Sequence, residues 1–421
     1  MKSVDAKGGS RSAFRQVRAV AVLLGLVSAA TTLTSGTASA AGTAPSDRGQ
    51  LVSARQVRTL ATKQDVAAAV AAAGFDTGTI RFGVDAYQLV YRTVDPEGRP
   101  TTASGLLVLP RSREHALRTV SFDHGTASYR SDAPSSVTEV GFVSAPAVTY
   151  ASAGFAAVAP DYLGLGAGPG PHPWMDVPSE TTASLDMLRA ARAFVPRTGR
   201  VLGHDVLVTG FSQGASAAMA LARTLQAGGD RWFRLEAVAP ISGAYDFQHA
   251  ELPALLAGSL DAKSSVLYTA YLLVAWNRLH HLYDSPDEVF QAPYDSTIEA
   301  LFDGAHTGQQ LLAGTPDTLG PLLTPHGLDM LRHPTAQLAA ALRVADNTCD
   351  WKPRVPVRLY DADADEQAAN ANTGHCEAAL RSHGAHAPFV DLGRPDYEGS
   401  RHLGSNVAGT AAIVRWFGQL H

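Results

Sequence analysis

The chain has 421 residues, of which 34 are Lys or Arg and 39 are Asp or Glu, giving a formal net charge of −5. This acidic balance argues against nucleic-acid binding, because a nucleic-acid partner requires a basic face that neutralises phosphates. The length exceeds that of one ordinary α/β domain, so we expect a core with a large insertion or two closely packed lobes.

The N-terminal segment has the organisation of an export signal. Several basic residues precede an apolar core at Ala19–Val27, and the small residues Ala38-Ser39-Ala40 follow it. We therefore predict a signal peptide over 1–40 with cleavage after Ala40, and secretion of the mature protein. A retained membrane anchor is the alternative, but the apolar core is too short to span a bilayer.

Residues 41–60 are small and polar with little periodicity, which predicts a mobile lead-in. The first part of the folded core is expected over 61–244, and it opens with a short helix over Asp65–Ala73. Apolar residues alternate over Asp85–Val94 and Thr102–Leu109, and strong turn residues separate these two runs. This pattern predicts an antiparallel hairpin.

Short apolar runs that alternate with helical patterns follow the hairpin. Continuous apolar strands separated by helices indicate an α/β fold with a mostly parallel central sheet, covered by helices on both faces. An N-terminal hairpin that leads into such a sheet is the plan of the α/β-hydrolase fold. The predicted strands are Arg118–Phe122, Ala156–Ala159, Asp205–Thr209, Ala237–Ile241, Val355–Tyr360 and Phe389–Leu392.

The sequence Gly210-Phe211-Ser212-Gln213-Gly214 lies between an apolar strand and an alanine-rich helix. It matches G-x-S-x-G, in which a serine is held in a strained strand-to-helix turn and a β-carbon on either flanking glycine would collide with nearby backbone. We predict that Ser212 is a nucleophile at this elbow. A glycine-rich turn without catalytic function is the alternative.

Hydrolysis through a serine requires N–H groups that stabilise the developing oxyanion. The backbone amide of Gln213 follows the nucleophile at the start of a helix, so we predict it as one donor. The second donor is expected in the turn His124-Gly125-Thr126, from the amide of Thr126 or Gly125. A simple glycine turn is the alternative for that segment.

The segment 245–345 has helical periodicity without a convincing strand, so we predict a helical insertion. Its run Val266–Trp276 is apolar almost throughout but too short for a membrane span. We interpret this run as a helix of a lid that excludes water from the site, with an ordinary buried helix as the alternative. The core then resumes over 346–421.

A serine nucleophile needs a base that a carboxylate orients, and in this fold the chain order is serine, acid, histidine. The acid is expected just after the strand Val355–Tyr360, where Asp365 is our first choice and Asp363 our second. His402 follows the last strand and precedes a predicted helix over Val407–Phe417. That position predicts His402 as the base.

The two cysteines of the chain, Cys349 and Cys376, are expected to form a disulfide in an exported protein. Such a bridge would enclose the loop that carries the acid. Two free thiols are the alternative.

Two motifs could indicate a cofactor or a metal. The glycine-rich stretch Gly164–Gly170 has Pro169 where a dinucleotide-binding motif requires its third glycine, so we interpret it as a loop. The run Asp361–Asp365 opens like a calcium loop, but Glu366 and Asn372 occupy the positions that require glycine and glutamate. We therefore expect neither a cofactor nor a metal.

Taken as a set, several segments resemble the secretory lipase family of α/β-hydrolases, of the lipase A type. The resemblance covers most of the chain from about residue 80 to the end. The segments that carry it are Ala159–Gly166 followed by His172-Pro173, His124-Gly125-Thr126, Gly210–Gly214, Pro240–Gly243 and Trp351-Lys352-Pro353.

The resemblance implies an extracellular carboxylic ester hydrolase with a helical lid between the sixth and seventh strands. Ser212 then matches the nucleophile, Asp365 the acid and His402 the base. Asp161 and Tyr162 match a family signature near the pocket, whose structural alternative is to anchor the loop after their strand. The chain departs from the family at Asp361-Ala362, where His-Gly is common.

We therefore expect a secreted esterase or lipase that acts on a small-molecule ester or lipid through a Ser-His-Asp triad and an acyl-enzyme. A secreted serine peptidase of the same fold would use the same triad and is the first alternative. A non-catalytic binding protein that retains the scaffold is the second.

Overall fold

The computed structural model describes residues 47–334 and 336–420. The predicted signal peptide and its cleavage site after Ala40 lie outside these residues. The strands are β1 Leu51–Leu60, β2 Val84–Val94, β3 Pro100–Pro110, β4 Ala116–Asp123, β5 Ala156–Pro160, β6 Val201–Phe211, β7 Arg234–Ile241, β8 Leu359–Asp361 and β9 Phe389–Asp391.

Helices cover the sheet and fill the long connection between β7 and β8. Within the described residues, none of them is long and apolar enough to cross a membrane. The helices are α1 Lys63–Ala72, α2 Ala145–Ser152, α3 Val177–Phe194, α4 Gln213–Gln226, α5 Leu252–Ala257, α6 Ala262–His280, α7 Ile298–Leu301, α8 Gly308–Gly314, α9 Leu319–Leu322, α10 Pro325–Arg332, α11 Ala336–Ala345, α12 Ala371–Ser382 and α13 Arg401–Phe417.

The nine strands form one sheet in the order β1-β2-β3-β5-β4-β6-β7-β8-β9. The pairs β1-β2, β2-β3 and β3-β5 are antiparallel. All pairs from β5-β4 to β8-β9 are parallel. Separate clusters of buried apolar side chains pack on the two faces. This arrangement confirms the α/β-hydrolase fold and the predicted hairpin, which β2 and β3 form.

The sheet also fixes where a site is expected. After β4 the chain runs to β5 on one side and later to β6 on the other. In open α/β sheets, ligands bind beyond the carboxyl ends of parallel strands, near the point where the direction of winding changes. The loops after β4, β6 and β8 all begin at that edge.

The prediction of a mobile lead-in over 41–60 is wrong for its second half, which forms the edge strand β1. Strand β1 pairs with β2, with register shifts between Leu51 and Ser53 and between Gln56 and Arg58. At each shift β1 has one residue more than β2. Partly buried and exposed positions therefore do not alternate strictly along β1. This irregularity hid the strand from a search for period-two alternation.

Two boundaries near the C-terminus also differ from the prediction. Strand β8 begins at Leu359, and the residues before it contribute one isolated bridge, between Val357 and Val238. Helix α13 begins at Arg401, six residues earlier than expected, because the Ser400 side chain accepts a hydrogen bond from the amide of Leu403 and caps it. His402 therefore lies in the first turn of a helix.

The connection between β7 and β8 contains helices α5 to α11 and has an apolar cluster of its own. Helix α6 lies at the centre of this cluster, with Val266 and the run from Thr269 to Trp276 buried. The cluster also includes Trp174 and Val177 from the core side of the chain. The insertion therefore packs on the loop that precedes α3.

Candidate active site

Ser212 is the residue between β6 and α4, and its backbone is strained, with φ 55° and ψ −122°. Such a conformation costs about 1–3 kcal/mol and persists where the surroundings enforce it. A β-carbon at Gly210 would lie 2.1 Å from the carbonyl oxygen of Gly214, and one at Gly214 would lie 2.0 Å from that of Asp123. Both flanking glycines are therefore required for steric reasons.

Three distant side chains meet at this elbow. The imidazole Nε2 of His402 lies 2.9 Å from the Ser212 hydroxyl oxygen, and its Nδ1 lies 2.8 Å from a carboxylate oxygen of Asp365. Because the carboxylate can only accept, Nδ1 carries the proton and Nε2 is free to accept from the hydroxyl. This geometry lets the imidazole remove the hydroxyl proton of Ser212.

Asp365 and His402 are both buried, and each stabilises the charged form of the other. Burial alone would lower the pKa of His402, but the charge and hydrogen bond of Asp365 outweigh it and raise the pKa above its ordinary value. Burial would raise the pKa of Asp365, yet His402 and the amides of Ala368 and Gln367 lower it below the usual range. Asp365 is therefore ionised when it faces the imidazole.

The carboxylates of the run Asp361–Asp365 have different partners. Asp363 is exposed and pairs with Arg394 at 2.7 Å, whereas Asp365 is buried against His402. Asp361 accepts a hydrogen bond from Thr373. The structure therefore brings Asp365, and not Asp363, to the imidazole.

The predicted oxyanion donors lie beside Ser212. Gly125 and Thr126 line the same cavity as Ser212 and His402, and its volume is about 140 Å³. Within residues 47–334 and 336–420, the backbone amides of Gly125, Thr126 and Gln213 donate to no protein acceptor. The protein's own hydrogen bonds therefore leave these three N–H groups unused.

The cavity is largely apolar, and the insertion contributes to its wall. Tyr268 of α6 lines it and donates from its hydroxyl to the side-chain oxygen of Gln367 at 2.7 Å, two residues after Asp365. An apolar wall favours a ligand that buries hydrocarbon there. The other apolar residues of the wall are Phe122, Phe142, Val143, Phe211 and Leu403.

The remaining residues predicted near the pocket support its loops. His124 donates from Nδ1 to the carbonyl of Gly125 at 2.7 Å, and burial lowers its pKa to about 4, which keeps the ring neutral. Tyr162 donates from its hydroxyl to the carbonyl of His124. Asp161 is buried and accepts from Ser104 and from the backbone and side chain of Ser135, so it anchors the loop after β5.

Two carboxylates that the sequence analysis missed bind the segments that carry Asp365 and His402. Glu366 accepts from the Ser400 hydroxyl and from the amide of Arg401, so it binds the first turn of α13 next to His402. Glu251, in a π-helical turn of the insertion, accepts from the amide of Ala369 at 2.9 Å. Burial raises the pKa of Glu251 to about 7.

A second missed group lies beneath the elbow. The side-chain amide of Gln213 donates to Glu180 at 2.6 Å and lies 2.9 Å from Nε2 of His172. Burial raises the pKa of Glu180 to about 8 and that of Asp123 to about 7. No local motif marks these residues, because they come from separate segments that meet only in the fold.

Cys349 and Cys376 form the predicted disulfide, with an S–S distance of 2.00 Å. The bridge joins the segment before β8 to α12 and encloses the loop that carries Asp365. The alternative of two free thiols is therefore wrong.

Solved structures resemble this chain, although no protein-family model and no curated protein matches it. The rice cell wall degrading esterase LipA from Xanthomonas oryzae is 26% identical, with a TM-score of 0.74 over 89% of this chain and 98% of that one. A Legionella pneumophila protein described as a hydrolase is 22% identical, with a TM-score of 0.76 over 88% and 98%. Candida antarctica lipase A in its closed state is 16% identical, with a TM-score of 0.61 over 84% and 78%.

The Legionella and Candida structures share the fold of this chain, and the LipA structure adds a similarity in sequence. The similarity to LipA supports the lipase and esterase group of α/β-hydrolases, so the predicted resemblance is confirmed. At a coarse level this similarity also supports ester hydrolysis as the activity.

Proposed function

We propose that this protein is a secreted carboxylic ester hydrolase that acts through an acyl-enzyme on Ser212. The observation that carries the proposal is the continuous series of hydrogen bonds from Asp365 through His402 to the strained Ser212. The disulfide is compatible with secretion, since such bonds persist in oxidising compartments. The sequence signal over 1–40 supports the same conclusion.

In the proposed reaction, His402 takes the hydroxyl proton as Ser212 attacks the ester carbonyl. The amides of Gln213 and of Thr126 or Gly125 stabilise the oxyanion of the tetrahedral intermediate. The protonated imidazole then donates its proton to the leaving alcohol. His402 then takes a proton from a water that attacks the acyl-enzyme, and it returns that proton to the Ser212 oxygen as the acid leaves.

The substrate we propose is an ester with a small acyl group. A dry cavity of ~150 Å³ holds a molecule the size of benzene, and the cavity beside Ser212 has a volume of about 140 Å³. A longer lipid chain would require additional space, which a movement of the insertion over 245–345 could provide. We propose that this insertion is a lid, because its Tyr268 forms part of the cavity wall.

The proposal is tested with p-nitrophenyl esters of increasing acyl length, measured beside the corresponding aminoacyl amides. We expect turnover of short acyl esters and a loss of ~10⁵-fold or more in Ser212→Ala, the usual effect of removing a triad nucleophile. Ser216→Ala is the matched control, since Ser216 lies one turn further along α4 and donates to the carbonyl of Ala244.

The same assay separates the alternatives. Faster hydrolysis of amides than of esters would favour a peptidase of this fold. Absence of Ser212-dependent hydrolysis of either class, in a protein that folds normally, would favour a non-catalytic scaffold and refute the proposal.

A further inference from the structure

The oxyanion loop is held by residues outside the triad. The indole N–H of Trp174 donates to the hydroxyl oxygen of Thr126 at 3.0 Å. The Tyr271 hydroxyl donates to the carbonyl of the next residue, Ala127, at 3.2 Å. Trp174 belongs to the loop before α3 and Tyr271 to the insertion helix α6. Two separate segments therefore donate hydrogen bonds to consecutive residues of this loop.

Trp174 is itself fixed by the insertion. Its ring stacks on Tyr271 with centroids 4.9 Å apart and an interplanar angle of 7°, and on Tyr268 with centroids 5.9 Å apart. Its carbonyl accepts from the indole N–H of Trp276, also on α6. Trp174 is 3% exposed, so its indole has little freedom to leave Thr126.

The contact restricts the backbone of Thr126 as well as its side chain. Thr126 is β-branched, so few χ1 rotamers are open to it, and a fixed hydroxyl oxygen limits the orientation of its Cα and amide. Thr126 lines the cavity of Ser212, and its amide has no protein acceptor among the described residues. An oxyanion donor contributes to rate when it is held in place before the charge develops.

We propose that Trp174 is a positioning residue, which orients the Thr126 amide toward the oxyanion and links that orientation to helix α6. This inference rests on the proposed function, in which the Thr126 amide is an oxyanion donor. Trp174 acts through Thr126 and does not touch the reacting atoms.

Trp174→Phe tests the inference, because it keeps an aromatic ring and removes the N–H donor. We expect kcat for a short p-nitrophenyl ester to fall about tenfold, a fraction of the ~10²–10³ that loss of a whole oxyanion donor costs. KM is expected to change less than about twofold, and affinity for an alkyl boronic acid, which forms a tetrahedral adduct, to fall in parallel with kcat. Trp351→Phe is the control, since it removes an indole bond to Thr348 outside the cavity.

A double-mutant cycle makes the test specific. Thr126→Val removes the acceptor, so adding Trp174→Phe to it should cause no further loss of kcat. Multiplicative losses, or a change confined to KM, would overturn the inference. If Trp174→Phe does not fold, Thr126→Ser and Thr126→Val provide the test. A smaller loss of kcat in the serine variant, which keeps the hydroxyl acceptor, supports the contact, and equal losses in the two variants refute it.

The reference variant Ser212→Ala keeps the two proposals apart. Ser212-dependent turnover together with an unchanged Trp174→Phe variant overturns the positioning role alone. Turnover that does not depend on Ser212 overturns the proposed function, and the positioning role with it.

Discussion

The two sides of the candidate site are held by different kinds of interaction. On the side of Ser212, neighbouring backbone atoms lie so close to Gly210 and Gly214 that they fix the conformation of the turn. On the other side, Asp365 and His402 lie on a loop and a helix that side chains from several segments bind through hydrogen bonds. The first arrangement is encoded in five consecutive residues, and the second is distributed over much of the chain.

This difference has a consequence for how each side responds to substitution. A steric elbow tolerates almost no added atom, because its neighbours are backbone groups that cannot move away. A loop held by several hydrogen bonds loses stability in smaller steps when one of those bonds is removed. The following predictions test that contrast, beginning with the largest effect.

Asp365→Asn is expected to lower kcat by about 10⁴-fold, the cost of losing the carboxylate that fixes the tautomer of a catalytic histidine. Folding should be retained, because the side chains are nearly isosteric. Asp363→Asn is the matched control, since Asp363 is exposed and pairs with Arg394. Steady-state kinetics on both variants measures the two values of kcat. An equal loss of kcat in the two variants would contradict the assignment of Asp365 as the acid.

Replacing Cys349 and Cys376 together by Ser should lower the free energy of unfolding by about 3.5 kcal/mol in the chain-entropy model, given their separation of 27 residues. Activity should then be lost at a lower temperature, because the bridge encloses the loop of Asp365. Urea unfolding and thermal inactivation measure the two effects. If both curves match those of the wild type, the bridge does not support the site.

Gly214→Ala should destabilise the fold by about 3 kcal/mol, the upper part of the usual range for overpacking, and abolish ester hydrolysis. Its β-carbon would lie 2.0 Å from the carbonyl oxygen of Asp123. Gly374→Ala is the control: Gly374 lies in α12 with no atom within 4 Å of the added carbon, and alanine there should stabilise slightly. Denaturation midpoints that shift equally would contradict the steric explanation.

Glu180→Gln tests the buried acid beneath the elbow through its pH dependence. The folded protein raises the pKa of Glu180 to about 8, whereas an unfolded Glu titrates near ~4.3. Its contribution to stability is thus complete below the unfolded pKa and is lost as pH rises through the folded pKa, by up to ~1.4 kcal/mol per unit.

Glutamine stays neutral, so the variant should lose less stability than the wild type between pH 5 and 8. Urea unfolding at several pH values in this window measures the difference. Glu377→Gln, at a position paired with Arg381 on the surface of α12, makes the same substitution at an ion-paired site and should follow the wild type. Parallel curves for the wild type and Glu180→Gln would show that Glu180 is not held protonated.

Much of the parallel core could be predicted from the sequence, because its strands are short apolar runs between helical patterns. The elbow could be predicted for a steric reason, since the glycine spacing itself reports the tight turn. Strand β1 could not, because its bulges break the alternation. Glu251, Glu366 and Glu180 could not either, since each acts through long-range contacts that no local pattern records.

The most direct test of the central claim is covalent labelling of the protein with a fluorophosphonate, followed by peptide mapping and a parallel assay of ester hydrolysis. We expect a single phosphonylated serine, Ser212, and a loss of activity in proportion to the label, with neither label nor activity in Ser212→Ala. Full activity in protein that is stoichiometrically labelled at Ser212, or inactivation with the label at another residue, would contradict it.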